Sequence, residues 1–255
     1  MDYSTVTETP GTLVTGEALS MLLTRYQTGA GFCEGKAVLE VACGSGQGLG
    51  YLARRARRVI GGDYTESLLR TARGHYRDRI PLVCLDAHAL PFRAQSFDVV
   101  LLFEALYYLA GPKGFLEECR RVLRSNGVLV ISTVNREWVD FNPSPHSTKY
   151  FSARELKELL TQMGFRAEIY RAFRVASGRP KDRLVSALKR TAVFLDLIPK
   201  TMKGKEWLKR IFFGRLTPLP HEITEEMSRP CPLAPVPERC PITDFKMLYA
   251  LCRPL

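Results

Sequence analysis

The stretch "VLEVACGSGQGLG", Val38 to Gly50, runs from an apolar strand pattern carrying one acid, Glu40, into four glycines within seven residues. Glycines after a strand let the chain turn tightly into a helix and bring bare amides up to a ligand, so the stretch reads as a nucleotide-type loop. Its spacing sorts the nucleotides. A dinucleotide fingerprint, G-x-G-x-x-G, counted from Gly44 meets Gly46 and then Leu49, so it fails, although Gly48 and Gly50 flank that position. No Gly-Lys-Ser/Thr follows, which removes a phosphate P-loop. Glu40 narrows the choice further: a carboxylate repels a diphosphate but suits a ligand that carries an ammonium and a sulfonium.

Working outward, apolar runs alternate with helix-period segments. Strands are expected at 37–42, 58–62, 81–85, 97–103, 127–133, 166–173 and 245–254, with helices in "GQGLGYLARRA", "ESLLRTARGHYRD" and "GPKGFLEECRRVLR", the last stopped by "SNG". Ser152 is expected to cap a further helix closed by Gly164. Strand and helix alternating at this spacing imply βαβ units and a doubly wound, mostly parallel α/β sheet, whose ligands bind beyond the carboxyl ends of the strands. Asp63 closes the second strand and is placed to accept hydrogen bonds from a ribose, and Asp86 closes the third. With Glu40 they form one acidic rim. Each has a plainer reading: an edge charge for Glu40, a helix cap for Asp63 and a turn former for Asp86.

These residues resemble the class I S-adenosylmethionine-dependent methyltransferases of methyltransferase type 11, over about residues 36–173 plus the last strand. The resemblance implies a Rossmann-like seven-stranded sheet of order 3-2-1-4-5-7-6 with the last strand antiparallel. It implies that S-adenosyl-L-methionine is held by Glu40, Ala42, Cys43, Gly44, Ser45 and Gly46 at the methionine part and by Asp63 at the ribose. Tyr64, Asp86 and Ala87 would lie at the adenine, Phe103 at the start of the segment facing the methyl group, and Arg25 with Tyr26 at the methionine carboxylate. Ala42 stands where the family has its first glycine. His88 is expected to frame the adenine pocket.

Methyl transfer from a sulfonium is a one-step in-line displacement, so the protein chiefly aligns the reactants and excludes water. A base becomes useful when the acceptor is a hydroxyl or a protonated amine, and Glu104, Tyr107, Tyr108 and His146 are the candidates. Their alternatives are a helix cap or cofactor contact for Glu104, pocket walls for the tyrosines and a solvated loop residue for His146. Acceptor recognition is expected in residues 135–150 and in a long insertion.

The chain of 255 residues reads as one methyltransferase domain with an N-terminal helical cap over 1–35 and an insertion over 175–243. The formal charge is +11, and residues 174–215 hold twelve Lys or Arg against Asp182, Asp196 and Glu206. That basic amphipathic segment packs on its own domain, forms a dimer contact or makes a peripheral membrane contact through 178–215, and a lid biased towards phosphorylated, glycan or lipid-linked acceptors is one expectation. Residues 216–243 contain seven of the sixteen prolines and are expected to be extended loop. No apolar run is long enough to span a bilayer and no basic leader opens the chain, so a cytoplasmic protein is expected. Seven cysteines without a C-x-x-C pair argue against a disulfide framework or a zinc site. The expected function is methyl transfer to a small-molecule acceptor. The alternatives are an RNA methyltransferase, suggested by charge but lacking an Asn-Pro-Pro-Tyr pattern, an NAD-type dehydrogenase, and a non-catalytic cofactor-binding protein. Oligomeric state has no signature in the sequence.

Overall fold

Continuous apolar runs become the strands of one sheet in the computed structural model, which describes residues 2–175, 216–237 and 241–255. The strands are β1 (Ala37–Val41), β2 (Arg58–Asp63), β3 (Leu82–Cys84), β4 (Phe97–Phe103), β5 (Leu123–Val134), β6 (Phe165–Arg174) and β7 (Phe245–Pro254). Their order is β3-β2-β1-β4-β5-β7-β6; β1 to β5 pair in parallel and β7 runs antiparallel to both its neighbours. This is the expected Rossmann-like order. An eighth strand, Ala234–Pro235, pairs with the outer edge of β6.

Helices α1 (Gly16–Ala30), α2 (Leu49–Ala53), α3 (Glu66–Tyr76), α4 (Pro112–Val122) and α5 (Ala153–Gln162) cover the two faces. Strand residues alternate between them, as period-two side chains must. Leu39, Val41, Val100 and Leu102 pack with Phe115 of α4 and Leu156 of α5. Val38, Val99 and Leu101 pack with Leu22 and Tyr26 of α1 and with Leu69 of α3. Glu40 shares the parity of Val38, so its side chain is delivered to the α1 face.

Helix boundaries differ from the sequence expectation: α2 ends at Ala53 and α3 at Tyr76, before Ala56 and Asp78, and two further differences have a visible cause. The segment expected to be helical from Gly46 begins its helix only at Leu49, because Gly46 takes a left-handed φ of 80°. The Tyr76 hydroxyl, which donates to Gly46 O at 2.7 Å and accepts from Gly50 N at 3.0 Å, bridges the pair that a helix would bond directly. The helix expected to run to "SNG" ends at Val122, because the last carbonyls, of Arg121 and Val122, accept from Gln95 N and Ser96 N and Leu123 already pairs with Phe97. The Ser152 cap is present as a full capping box with Glu155.

The described part of the proline-rich region is tied to the N-terminus. Leu13–Val14 pairs antiparallel with Thr217–Pro218, and Gly11 and Thr12 exchange backbone hydrogen bonds with Leu219. The basic helices expected over 178–215, and Cys240, lie outside the described residues. Among the described residues the six cysteines are free thiols, no metal-binding cluster of His, Cys, Asp and Glu is found, and no helix is long and apolar enough to cross a membrane.

Candidate functional site

Beyond the carboxyl ends of β1 to β4 lies a cavity of about 700 Å³. Its floor is the glycine turn. Ala42, Gly44 and Gly46 have φ of 59°, 58° and 80°, so every second residue is left-handed and the turn is tight enough to reach α2. Asp63 fixes it: Oδ2 accepts from Gly44 N and Oδ1 from Thr65 N, each at 2.8 Å. The N-cap of α3 is Thr65 rather than Asp63. Gly48 serves close approach, since a Cβ there would lie 1.9 Å from the Tyr26 ring.

Tyr26 carries that packing to the acid, donating its hydroxyl to Glu40 Oε1 at 2.6 Å while its ring meets Phe103 edge-on at 5.1 Å. Glu40 is 1% exposed, and its Oε2 has no partner among the described residues. Burial pushes its carboxyl up to about 8, against the opposing pull of the Tyr26 hydroxyl and the Arg25 charge. The Arg25 guanidinium lies 5.8 Å from the Tyr26 ring centroid, and its Nε is also buried without a partner. A buried carboxylate oxygen and a buried guanidinium nitrogen, both unanswered, therefore border one cavity.

Tyr64, Asp86, Ala87 and His88 line the side below β2 and β3. Asp86 Oδ1 accepts from the His88 amide at 2.9 Å, and its 2.7 Å contact with Nδ1 is completed on the other side of the ring, where Gly111 N donates to Nε2 at 3.3 Å. The ring is thus oriented with Nδ1 towards Asp86 and Nε2 towards the Gly111 amide. These hydrogen bonds, the His88 amide foremost, lower the Asp86 pKa.

The opposite side is built after β4. Glu104, at a left-handed φ of 54°, is held by Ser132, whose Oγ donates to Oε1 at 3.2 Å, and by the Tyr107 hydroxyl, which donates to Oε2 at 3.5 Å. Burial raises its pKa, and the nearby Arg25 charge opposes that. Burial also drives the Tyr107 phenol well above its ordinary range, which makes it a donor and not a base. Tyr107 stacks on Tyr150 at 4.4 Å, and Tyr108 shares a 2.7 Å hydrogen bond with Ser144. The loop of residues 135–150 reaches the cavity through Ser144.

Most residues expected at the site thus line one cavity: Arg25, Tyr26, Glu40, Ala42, Cys43, Gly44, Asp63, Tyr64, Asp86, Ala87, Phe103, Glu104, Tyr107 and Tyr108. Ser45, Gly46 and His146 do not. Ser45 Oγ is turned to Gln47 Oε1 at 3.1 Å, and Gly46 packs behind the turn against Tyr76 and Ala72. His146 is an exposed loop residue. Sequence reasoning missed Gln47 of the turn and Tyr3, Glu8 and Leu219 of the segments laid over it, which also line the cavity. Gln47 joins turn to cover, donating from Nε2 to Glu8 O at 2.9 Å while its own carbonyl accepts from Ile223 N at 2.9 Å. A polar side chain inside the glycine turn was the one available signal for it.

A doubly wound sheet with a left-handed glycine turn and acids at three adjoining strand tips defines a Rossmann-like nucleoside-binding protein. Comparison with known proteins makes this specific: residues 39–131 match the family described as Methyltransferase domain. A protein of Mycolicibacterium smegmatis named "Probable S-adenosylmethionine-dependent methyltransferase" is 40% identical over 152 residues, 56% of this chain and 57% of that one. A ubiquinone biosynthesis O-methyltransferase of Coxiella burnetii is 33% identical over 108 residues, 41% of this chain and 46% of that one. A SAM-dependent methyltransferase of Thermotoga maritima superposes with a TM-score of 0.60 over 94% of this chain and 92% of that one at 15% identity, a likeness of fold. Over residues 39–131 the chain is thus similar to S-adenosylmethionine-dependent methyltransferases, and its sheet has the fold of that class. The chain spans about half the length of the two sequence relatives, 57% and 46%.

Proposed function

We propose that this chain transfers a methyl group from S-adenosylmethionine to a small-molecule acceptor. The observation that carries the reading is the buried Glu40 carboxylate with an unanswered oxygen beside the glycine turn. A buried carboxyl that ionises readily only beside a cation suits an ammonium and offers nothing to a pyrophosphate, which separates this cofactor from a nicotinamide dinucleotide. Arg25, with its unanswered Nε, suits the cofactor's carboxylate as a charge-assisted donor. Asp63 keeps lone pairs for ribose hydroxyls while anchoring Gly44, and Tyr64, Asp86 and Ala87 border the base. When bound, the cofactor supplies a methyl group already activated by a sulfonium, so the chain's own tasks are alignment and exclusion of water. Tyr3 and Leu219 of the segments laid over the turn supply the exclusion. The small-molecule reading is supported by the size of the cavity, about 700 Å³, and by the biosynthetic role in the name of the Coxiella relative.

The test is isothermal titration of S-adenosylhomocysteine against NAD. The expected result is micromolar binding of the former and none of the latter, with Asp63→Ala weakening binding by about 100-fold, the loss expected when paired charge-assisted contacts go. Equal binding of NAD sinks the proposal.

A further inference from the structure

Charge sorts what can occupy the acceptor end. Among the described residues lining the cavity, the acids not already assigned to the cofactor are Glu8 and Glu104, while Arg25 is the one arginine or lysine. Both ring nitrogens of His88 are already engaged, Nδ1 with Asp86 and Nε2 with Gly111 N. Arg25 is itself set between carboxylates, since Glu104 and Glu8 both act on it electrostatically. With Arg25 given to the cofactor's carboxylate, an anionic acceptor meets Glu104 and finds no further arginine or lysine among the described lining residues.

The rest of the wall suits the opposite kind of guest. Tyr3 and Tyr108 rings lie 5.3 Å apart and Tyr107 and Tyr108 4.6 Å apart, each pair tilted, so several aromatic surfaces border the cavity next to Glu104. Ala18, Met21 and Leu22 of α1 complete the wall with apolar surface. Glu104 is presented into this space by a left-handed backbone held by its amide on Ser132 O at 3.0 Å, a strained arrangement of the kind that persists where surrounding structure enforces it. Its two oxygens already accept from Ser132 and Tyr107, which orient the carboxylate as positioning residues and leave lone pairs to accept from a guest.

We infer that the acceptor enters as a neutral or cationic compound whose methylated atom is an O–H or N–H heteroatom, and that Glu104 is the catalytic residue that takes its proton. The inference rests on the methyltransferase reading above. The heteroatom's electron pair forms the bond to the methyl carbon, sulfur keeps the pair of the bond that breaks, and the proton released passes to a Glu104 oxygen. A carboxylate at this point also stabilises positive charge as it moves from sulfur to the acceptor, so its effect is greatest in the transition state. The expectation of a phosphorylated acceptor is narrowed accordingly: any phosphate must stay outside the cavity formed by the described residues.

The test uses full-length protein saturated with S-adenosylhomocysteine, titrated calorimetrically with benzyl alcohol, benzylamine and benzoate, which share a ring and differ in charge. Benzyl alcohol and benzylamine are expected to bind at least about tenfold more tightly than benzoate, a difference of about 1.4 kcal/mol. In Glu104→Gln the preference for benzylamine over benzoate is expected to fall below about threefold while S-adenosylhomocysteine binds within about threefold of wild type, which also reports that the variant is folded. The ranking of alcohol against amine separates oxygen from nitrogen acceptors. Benzoate binding as tightly as the others, no binding by any of the three, or an undiminished preference in Glu104→Gln overturns the inference. Failure of S-adenosylhomocysteine to bind wild-type protein instead overturns the underlying reading.

Discussion

From Val38 to Thr65 the cavity wall is made by near neighbours in sequence: strand, glycine turn, helix and strand, with Asp63 bonded to an amide 19 residues away and Tyr26 to an acid 14 away. The cover is made the other way. Residues 3–14 meet 217–223 in a two-residue ladder, and Tyr51 reaches a carboxylate 174 positions along the chain, at Glu225. The floor is one packed unit in which turn, Tyr26 and Glu40 fix each other, while the cover is laid on it through Gln47, Leu219 and Ile223. A ligand site built from both has a base held by contacts local in sequence and a roof held by contacts distant in sequence.

The floor should break hardest at Gly48. Alanine there drives a methyl into the Tyr26 ring, 1.9 Å from its nearest carbon. The expected outcome is a loss of about 3 kcal/mol in urea unfolding, with S-adenosylhomocysteine binding abolished because Tyr26 can no longer hold Glu40. A variant of normal stability would mean that turn and α1 are not the single unit described.

Glu40 sharpens the comparison through pH. Its folded pKa of about 8 lies above the ordinary 4.5. A carboxyl raised in the fold contributes stability fully below its unfolded pKa and loses it as pH rises through the folded one. Stability of the cofactor-free protein should therefore fall between about pH 4.5 and 8, by on the order of 4 kcal/mol from this group. Glu40→Gln is expected to remove that slope and to be the more stable protein at pH 8.5 in chemical denaturation. Affinity for S-adenosylhomocysteine should rise over the same window in wild type, where the ligand ammonium pairs the ionised acid, and stay level in the variant. No cover residue should show this signature.

This difference also explains what could be read in advance. β1, β2 and β4 are largely apolar runs because parallel strands are buried on both faces, and Glu40, Asp63 and Asp86 stand out as acids at or near the tips of β1, β2 and β3. The interior of the turn was less legible. Positive φ at every second residue turns Ser45 and Gly46 away from the cavity, and an alternation of backbone handedness leaves no trace in side-chain pattern. The start of α2 was misplaced because a hydroxyl 26 residues away bridges it, and the end of α4 because a turn at residues 95–96 captures its carbonyls. Leu219 and Gln47 were missed for the same cause: their partners are chosen by tertiary approach, which local periodicity cannot encode.

The cover itself should break more gently. Ile223 and Leu39 are both fully buried, so truncation to alanine removes comparable packing, about 2–5 kcal/mol locally. Leu39→Ala should lower global stability by that amount. Ile223→Ala should lower it by less than about half as much, because part of the loss falls on local opening of the roof. Hydrogen exchange should then speed up at Gly11 and Leu219, with protection in β1 and β4 unchanged, and S-adenosylhomocysteine should dissociate faster. Equal global losses would mean that floor and cover fold as one.

The smallest effect lies at Ala42. Its φ of 59° costs a residue with a Cβ about 1–2 kcal/mol. Glycine would remove that strain. Against this, glycine gains freedom in the unfolded chain, roughly 0.4–1 kcal/mol, and gives up the contact of the Ala42 methyl with the core. The terms nearly cancel and leave Ala42→Gly more stable by about 0.5 kcal/mol, a rise of about 1–2 °C in melting temperature for a chain of this size. Because the turn's shape is already held by Asp63 on Gly44 N and by Tyr76 on Gly46 O, the amides should not move, and S-adenosylhomocysteine affinity should stay within about twofold. A large gain in affinity would instead show that the methyl at residue 42 crowds the ligand, and would locate this chain's departure from the family pattern in binding and not in folding.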